Sequence, residues 1–283
     1  LCLFFILLAL LSYVFYNAAS RTKKRLFWYF STLLCFALAL LAKQMAVTFP
    51  VILLLMDVYP LNRTHLTSPL RRDRISYKII MFEKIPFFVL TLVSVAITML
   101  AQHHAGSISN LESVGIPIRL LNAFNSLIFY LSKFLFPIGL SPYYPYPSYS
   151  SFHEYYPSLI SIIAVFFITF VCGYLWYKKK YYWLMAWLFY LVTLSPVIGL
   201  IQVGTQAAAD RYVYLPTIPF YILLGIGIVN LWYAQKIKKI LKLGSVIGVF
   251  FIVIINMQLT QKQTLGWRND LTLWSHALKY TPN

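Results

Sequence analysis

The chain has 283 residues, of which 60% are hydrophobic and only 11% are charged, and its formal net charge is +17. Soluble domains are about 45–50% apolar and about 25% charged, so this composition excludes an ordinary soluble domain and predicts an all-α protein that crosses a membrane several times. The basic residues lie in short clusters between apolar runs. That pattern is typical of membrane-topology signals rather than of a nucleic-acid-binding surface.

Eight apolar runs are predicted to cross the membrane, for which a helix needs about 17–25 predominantly apolar residues. In chain order they cover residues 1–16, 26–42, 46–59, 85–101, 157–177, 182–203, 212–233 and 243–259. We predict a membrane domain over residues 1–260 and an extracytoplasmic linker over residues 261–283. The three cysteines lie in apolar runs without metal-ligand spacing, and we interpret them as packing residues.

The basic clusters between these runs orient the chain, because Lys and Arg are enriched in cytoplasmic loops. They place residues 17–25, 61–84, 178–180 and 236–242 on the cytoplasmic side. A ninth apolar run, 119–137, then has both ends outside, so it is predicted to lie as a helix in the outer interface. The alternative is a ninth span with one basic cluster on the wrong side.

The seven acidic residues fall into two groups. Asp57, Asp73 and Glu83 lie beside cytoplasmic basic clusters, where we interpret them as charges of a solvated loop or helix end. The second group lies on the predicted outer side: Glu112, Glu154, Asp210 and Asp270. Within this group only Asp210, next to Arg211, lies against the start of a predicted span. Ionisable groups at the edge of a span are costly and mark functional sites. The alternative for this pair is a local ion pair, or a helix N-cap at Asp210.

Lys43 and Gln44 separate two apolar runs on the same predicted outer side. Because Lys and Arg at close range neutralise phosphate, Lys43 is a candidate for binding a phosphate-bearing lipid, and a simple interface anchor is the alternative. Gln202 and Gln206 flank the loop that precedes Asp210, where they are candidates for binding hydroxyl groups; ordinary loop polarity is the alternative.

No metal or nucleotide site is predicted. The outer-side histidines His103, His104 and His153 have no carboxylate partner at ligand spacing. The sequence also contains no glycine-rich phosphate loop, nucleophile elbow or zinc-protease motif, so cytosolic nucleotide chemistry has no basis.

Four longer stretches occur together in a recognisable order. They are LLAKQMAVTFPVILLLMDVYPL (40–61), LSPYYPYPS (140–148), SPVIGLIQVGTQAAADRYVYLPTIPFYILL (195–224) and WRNDLTLWSHALKYTPN (267–283). The set resembles the membrane domain of the transmembrane and tetratricopeptide-repeat proteins, which include eukaryotic O-mannosyltransferases and many bacterial relatives. The resemblance covers nearly the whole chain, and it implies that tetratricopeptide repeats follow the last stretch.

The resemblance implies a GT-C glycosyltransferase fold and transfer of a sugar, mannose among the candidates, from a polyprenyl-phosphate donor to an extracytoplasmic protein or glycan. Lys43 and Arg211 would stabilise the phosphate leaving group, and Asp210 would orient Arg211 or a donor hydroxyl. Such enzymes carry their catalytic acidic pair in an early outer loop. We therefore expect this chain to be part of a longer protein, with the base upstream of residue 1, and assign no catalytic residue within it.

The same resemblance gives a set of candidate groove-lining residues around the donor lipid or the acceptor: Gln44, Gln202, Gln206, Tyr143, Tyr144 and Tyr212. For the tyrosines, packing at the headgroup level of the membrane is the alternative. The expected partners are membrane lipid, the donor and the acceptor, without nucleic acid. A divalent metal has no support from the sequence.

Three other functions remain open. A lipid-linked oligosaccharide ligase or polymerase would use the same donor with a glycan acceptor. A lipid-linked sugar transporter should show repeats and midplane charges, whereas the charges here lie at the outer edge. A membrane-anchored repeat scaffold would need no chemistry. The Lys-, Ile- and Tyr-rich composition favours a bacterial inner membrane, with the endoplasmic reticulum as the alternative.

Overall fold

The computed structural model of the protein describes residues 1–64, 76–104, 115–145, 156–199, 206–234 and 239–280. About 81% of the structure is helical, which confirms the all-α prediction. The α-helices within these ranges are, in chain order, α1 (Cys2–Ala18), α2 (Thr22–Ala42), α3 (Phe49–Val58), α4 (Tyr77–His104), α5 (Ile116–Leu135), α6 (Tyr156–Tyr177), α7 (Tyr181–Leu194), α8 (Ile218–Tyr233), α9 (Lys239–Gly266) and α10 (Asp270–Tyr280).

Each of the eight predicted apolar runs overlaps a helix. Four helical stretches in the described ranges are long and apolar enough to cross a membrane: Thr22–Ala42, Tyr77–Gln102, Tyr156–Tyr177 and Ile240–Gly266. Four further apolar helices are shorter: Cys2–Ala18, Gln44–Val58, Tyr181–Leu194 and Ile218–Tyr233. The long helices identify a membrane protein, whereas the full number of eight crossings stays a prediction.

Two helix ends differ from the sequence prediction, and proline explains both. The helix predicted over 182–203 ends at Leu194, because Pro196 has no N–H to donate to the preceding helical turn. The helix predicted to begin at Tyr212 begins at Ile218. Pro219 then occupies its first turn, where the missing N–H costs nothing. The residues before α8 therefore form a loop instead of a helix start.

Helix α5 buries its polar side instead of turning it to water. Asn122 and Ser126 are 3% exposed. The Asn122 side chain donates a 3.4 Å hydrogen bond to the carbonyl of Ala207, and Asn125 donates one of 2.8 Å to the hydroxyl of Ser158. Exposed apolar side chains such as Leu120 line the other side. This packing differs from that of an interfacial helix, which turns its polar face to water. The place of α5 relative to the membrane stays a prediction.

The chain divides into two compact units. The first contains Leu1–Arg119 and Phe166–Gly204. In it α1 packs along α2, and three fully buried rings from α2, α3 and α4 form an aromatic core: the ring of Phe36 lies 4.9 Å from that of Phe49 and 5.9 Å from that of Phe87. Trp187 of α7 adds a 2.9 Å hydrogen bond from its indole N–H to the hydroxyl of Thr169.

The second unit contains Leu120–Val165 and Thr205–Asn283. Two short strands, β1 (Tyr144–Pro145) and β2 (Gln206–Ala208), pair antiparallel within it, with Tyr144 opposite Ala208. Helix α9 continues through residue 260 to Gly266, and α10 follows. No residue in the most apolar stretch of α9 is buried, so its surface is available to lipid.

Candidate functional site

The loop that carries Asp210 is fixed from both sides in the second unit. Strand β2 leads through Ala209 into a single 3-10 turn, Asp210–Tyr212. The backbone N–H of Ala209 donates a 3.0 Å hydrogen bond to the hydroxyl of Tyr130, whose ring is fully buried on α5. Pairing with β1 holds the other end of the loop. Because its backbone is tied at these points, the turn presents the Asp210 and Arg211 side chains from a defined position.

The carboxylate of Asp210 accepts hydrogen bonds from the Pro/Tyr-rich loop. Its Oδ2 accepts from the backbone N–H of Ser141 at 3.0 Å and from the hydroxyl of Tyr144 at 3.0 Å. The same hydroxyl lies 3.2 Å from Oδ1. Two of the sequence motifs, separated by 66 residues, therefore meet at one carboxylate.

Neither alternative for Asp210 describes this arrangement. The ion pairs among the described residues do not include one between Asp210 and Arg211. Asp210 also does not cap a helix with its side chain: the 3-10 turn has Ala209 at its N-cap, and α8 begins further along at Ile218. The carboxylate instead serves as the anchor that joins two loops.

Burial sets the electrostatics of the site. It raises the pKa of Asp210, since it removes the carboxylate from water, although the hydrogen bonds from Tyr144 and Ser141 and the charge of Lys133 act in the opposite direction. Burial and the neighbouring Asp210 raise the pKa of the Tyr144 phenol. Lys133 donates hydrogen bonds to the carbonyls of Ile138 at 2.5 Å and Gly139 at 3.2 Å. The ammonium group therefore fixes the loop that Asp210 also binds.

Arg211, the next residue, is exposed. Its Nη2 donates a 3.3 Å hydrogen bond to the side-chain oxygen of Gln206, and its guanidinium lies 5.2 Å from the ring centre of Tyr212. Gln206 in turn donates a 3.4 Å hydrogen bond to the hydroxyl of Tyr212. The three side chains form an exposed cationic platform, suited to an anionic group such as a phosphate.

The structure thus brings together Tyr144, Gln206, Asp210, Arg211 and Tyr212, all predicted as site residues. Tyr143 lies beside them, and its carbonyl accepts a 3.0 Å hydrogen bond from the hydroxyl of Ser141. Sequence reasoning missed two side chains of α5 that support the site, Tyr130 and Lys133. Gln202 lies outside the described residues.

Lys43 and Gln44 belong to the first unit. Lys43 ends α2 and is half-buried, and Gln44 begins the short 3-10 helix Gln44–Thr48. The side chain of Gln102 donates a 3.5 Å hydrogen bond to that of Gln44, so the ends of α2 and α4 lie together. Polar side chains therefore meet at this end of the first unit, and its place on the outer side stays a prediction.

A cluster of charges that the sequence prediction treated as solvated is buried in the first unit. Asp57 and Lys84 have no exposed surface, and the side chain of Glu83 is 13% exposed. The interpretation of Asp57 and Glu83 as solvated charges is therefore wrong; Asp73 lies outside the described residues. We call this group the helix-end cluster. Its members are Tyr13, Tyr16, Arg25, Asp57, Arg63, Glu83 and Lys84.

The hydroxyl of Tyr13 lies at the centre of the helix-end cluster. It donates a 2.5 Å hydrogen bond to Asp57 Oδ1 and accepts one of 2.7 Å from each of Arg63 and Lys84. Lys84 Nζ also forms a 2.8 Å ion pair with Asp57 Oδ2, bent away from hydrogen-bond geometry. One phenol therefore links the end of α1, the end of α3 and the start of α4.

Glu83 accepts hydrogen bonds from the side chains on the other side of the helix-end cluster. Arg63 Nη2 donates to both of its carboxylate oxygens, at 3.0 and 2.8 Å, and the Tyr16 hydroxyl donates at 2.7 Å. Arg25 lies 3.3 Å from Glu83 and stacks 4.8 Å from the ring centre of Tyr16. Buried ion pairs add little net stability, but loss of one partner leaves an uncompensated charge and is strongly destabilising.

Metal binding has no support from the part of the chain that the structure describes. No group of three or more His, Cys, Asp or Glu residues there is arranged to hold a metal ion. The structure describes neither the side chain of His103 nor any part of His153.

No protein-family model, curated protein or solved structure matches this chain. The resemblance to glycosyltransferases therefore depends on the sequence motifs alone.

Proposed function

We propose that this protein is a multi-pass membrane glycosyltransferase with a GT-C-like fold. It would transfer a sugar from a polyprenyl-phosphate donor to a protein or glycan on the outer side of a bacterial inner membrane, with the endoplasmic reticulum as the alternative. The observation that carries the proposal is the arrangement at Asp210. The carboxylate is held by Ser141 and Tyr144, and Arg211 beside it is exposed on a platform of Gln206 and Tyr212.

The chemistry of transfer gives Arg211 its role. The hydroxyl of the acceptor attacks the anomeric carbon of the sugar, the bond from that carbon to the phosphate oxygen breaks, and the phosphate leaves with the electron pair. Negative charge therefore grows on the phosphate in the transition state, where a positioned guanidinium lowers the barrier. The proton of the acceptor goes to a base that we do not assign to any residue of this chain.

Asp210 is a positioning residue in this proposal. Its carboxylate bonds to the backbone and side chain of the loop around Ser141 and Tyr144, which fixes the turn that presents Arg211. Lys43, in the first unit, stays a candidate for binding the phosphate of a lipid.

The test uses Arg211→Ala, with Arg211→Lys as the variant that keeps the charge and loses the planar fork. Crosslinking of a photoreactive polyprenyl-phosphate sugar to the full chain reports donor binding, and labelled sugar reports transfer. A hydrogen bond to a charged group is worth about 1.5–3 kcal/mol. We therefore expect Arg211→Ala to reduce donor crosslinking by roughly ten- to hundredfold, and Arg211→Lys to retain part of it.

The control is Arg268→Ala, which removes another exposed arginine from the second unit. It should leave crosslinking unchanged. Equal losses in the two variants, or a wild-type protein that does not crosslink to the donor above the level of an uncharged polyprenol, would show that the proposed site is wrong.

A further inference from the structure

The helix-end cluster has an excess of positive charge at its surface. Its buried part contains two cations, Arg63 and Lys84, and two carboxylates, Asp57 and Glu83, so it is neutral by itself. Arg25 is the additional cation, and its side chain is 44% exposed. The carboxylates are therefore already paired inside the protein and leave the surface around Arg25 positively charged.

Further cations surround Arg25 at the same helix ends. Arg21, Lys23 and Lys24 are exposed at the start of α2, and Lys78 is exposed at the start of α4. The hydrogen bond from the Tyr29 hydroxyl of α2 to the backbone carbonyl of Glu83 in α4 holds these two helix starts together at 2.8 Å. We call the five residues the basic rim: Arg21, Lys23, Lys24, Arg25 and Lys78.

The described residues at these helix ends include no exposed carboxylate that could neutralise the basic rim. The two helices also define the depth of the basic rim relative to a membrane. Both helices that carry it, Thr22–Ala42 and Tyr77–Gln102, are long and apolar enough to cross a membrane. Cations in the first turn of a spanning helix lie at the level of the lipid phosphates. Side chains as long as Lys and Arg reach that level with their stems along the apolar surface.

From this charge complementarity we propose that the basic rim is a binding surface for the headgroups of anionic phospholipids. Arg25 is its fixed centre, because stacking on Tyr16 and the contact with Glu83 hold the guanidinium in place. The four exposed cations provide the surrounding attraction. This surface lies in the first unit, and its function does not depend on sugar transfer at Arg211.

The test removes three rim charges that make no contact within the helix-end cluster, in the variant Arg21→Gln/Lys23→Gln/Lys24→Gln. The full chain is purified in neutral detergent and titrated with short-chain phosphatidylglycerol or phosphatidylcholine, and native mass spectrometry counts the bound lipids. The wild type should prefer phosphatidylglycerol. Each cation near an anionic surface contributes a factor of roughly five to binding, so the variant should lose at least about tenfold in affinity for phosphatidylglycerol.

The matched control is Lys178→Gln/Lys179→Gln/Lys180→Gln, which removes the same charge from three exposed residues at another predicted cytoplasmic turn. It should lose less than the rim variant does, because the rim cations surround the fixed guanidinium of Arg25. Equal losses in the two triple variants would overturn the proposal in favour of general attraction by net charge. Three further outcomes would also overturn it: no preference for phosphatidylglycerol in the wild type, equal competition by inorganic phosphate, and rim-dependent binding of a short DNA duplex in place of lipid.

Discussion

The helix-end cluster and the Asp210 site both hold carboxylates away from water, but they satisfy them differently. In the cluster Asp57 and Glu83 each face cations. At the second site Asp210 accepts from a phenol and a backbone N–H, both neutral. In the helix-end cluster the charges pair with one another. At the Asp210 site the donors are neutral, and the neighbouring guanidinium of Arg211 is exposed. The first arrangement suits a joint between helices, and the second suits a ligand.

The largest expected effect comes from Lys84→Met in the helix-end cluster. This change leaves Asp57 buried beside one cation fewer, and loss of one partner of a buried ion pair costs about 3–5 kcal/mol. Thermal unfolding of the purified protein in detergent measures the loss. Lys78→Met, an exposed lysine on the same helix, should change stability by about 0.5 kcal/mol at most. Similar values for both variants would break the comparison, because Lys84 would then behave as a surface charge.

A double-mutant cycle tests whether Asp57 and Lys84 stabilise the protein as a pair. Asp57→Leu alone leaves Lys84 without its closest carboxylate, 2.8 Å away. Asp57→Leu combined with Lys84→Met removes both charges, so the double variant should lose less stability than the sum of the two single losses. Coupling energies for contacting residues are about 0.5–3 kcal/mol. Additive losses in the unfolding measurement would mean that the two residues act independently.

At the Asp210 site we expect a smaller loss from Tyr144→Phe. The change removes the hydroxyl that lies 3.0 Å from Asp210 and keeps the ring. The site is half-buried, so the loss should be about 1–2 kcal/mol, at the lower end of the range for bonds to charged groups. Tyr214→Phe is the control, since the ring of Tyr214 is 69% exposed. An equal shift in unfolding temperature for both variants would mean that Asp210 does not depend on Tyr144.

The smallest effect is a dependence on pH at Asp210. Burial raises the pKa of this carboxyl in the folded protein. Its contribution to stability is then fully present below the unfolded pKa and is lost as the pH rises through the folded pKa. Acidification from neutral pH towards about 4 should therefore stabilise the wild type relative to Asp210→Asn. Unfolding temperatures of the two proteins, measured in parallel across this range, give the difference. A constant difference would contradict the raised pKa.

Sequence reasoning located the helices because each apolar run is long and continuous, and local composition determines such segments. It misplaced the starts and ends near Pro196 and Pro219, where backbone geometry overrides hydropathy. It also selected Asp210 and Arg211 as candidate site residues, since charge in an apolar context is a local signal. Their partner Tyr144 was proposed only as a groove residue, because the contact spans 66 residues.

The helix-end cluster could not be derived in the same way. Asp57 lies within an apolar run, LLLMDVYP, which is a usable warning that the charge is buried. Its partner Tyr13 is 44 positions away in the chain, and Lys84, which donates to the same phenol, is 71 positions from Tyr13. Nearby basic residues made a solvated loop the simpler interpretation. Only the packing of α1, α3 and α4 distinguishes a buried Asp57 from a solvated one.

The central position of Tyr13 has a consequence for the order in which the protein is assembled. Its hydroxyl bonds to Lys84, 71 residues later in the chain. At a synthesis rate of roughly 5–20 residues per second, α1 is complete on the order of ten seconds before this partner exists. The first two helices, α1 and α2, are therefore synthesised while the phenol of Tyr13 is still unpaired to Lys84. The joint between the four helices forms only when α4 arrives, which makes the emergence of α4 the event that completes this end of the first unit.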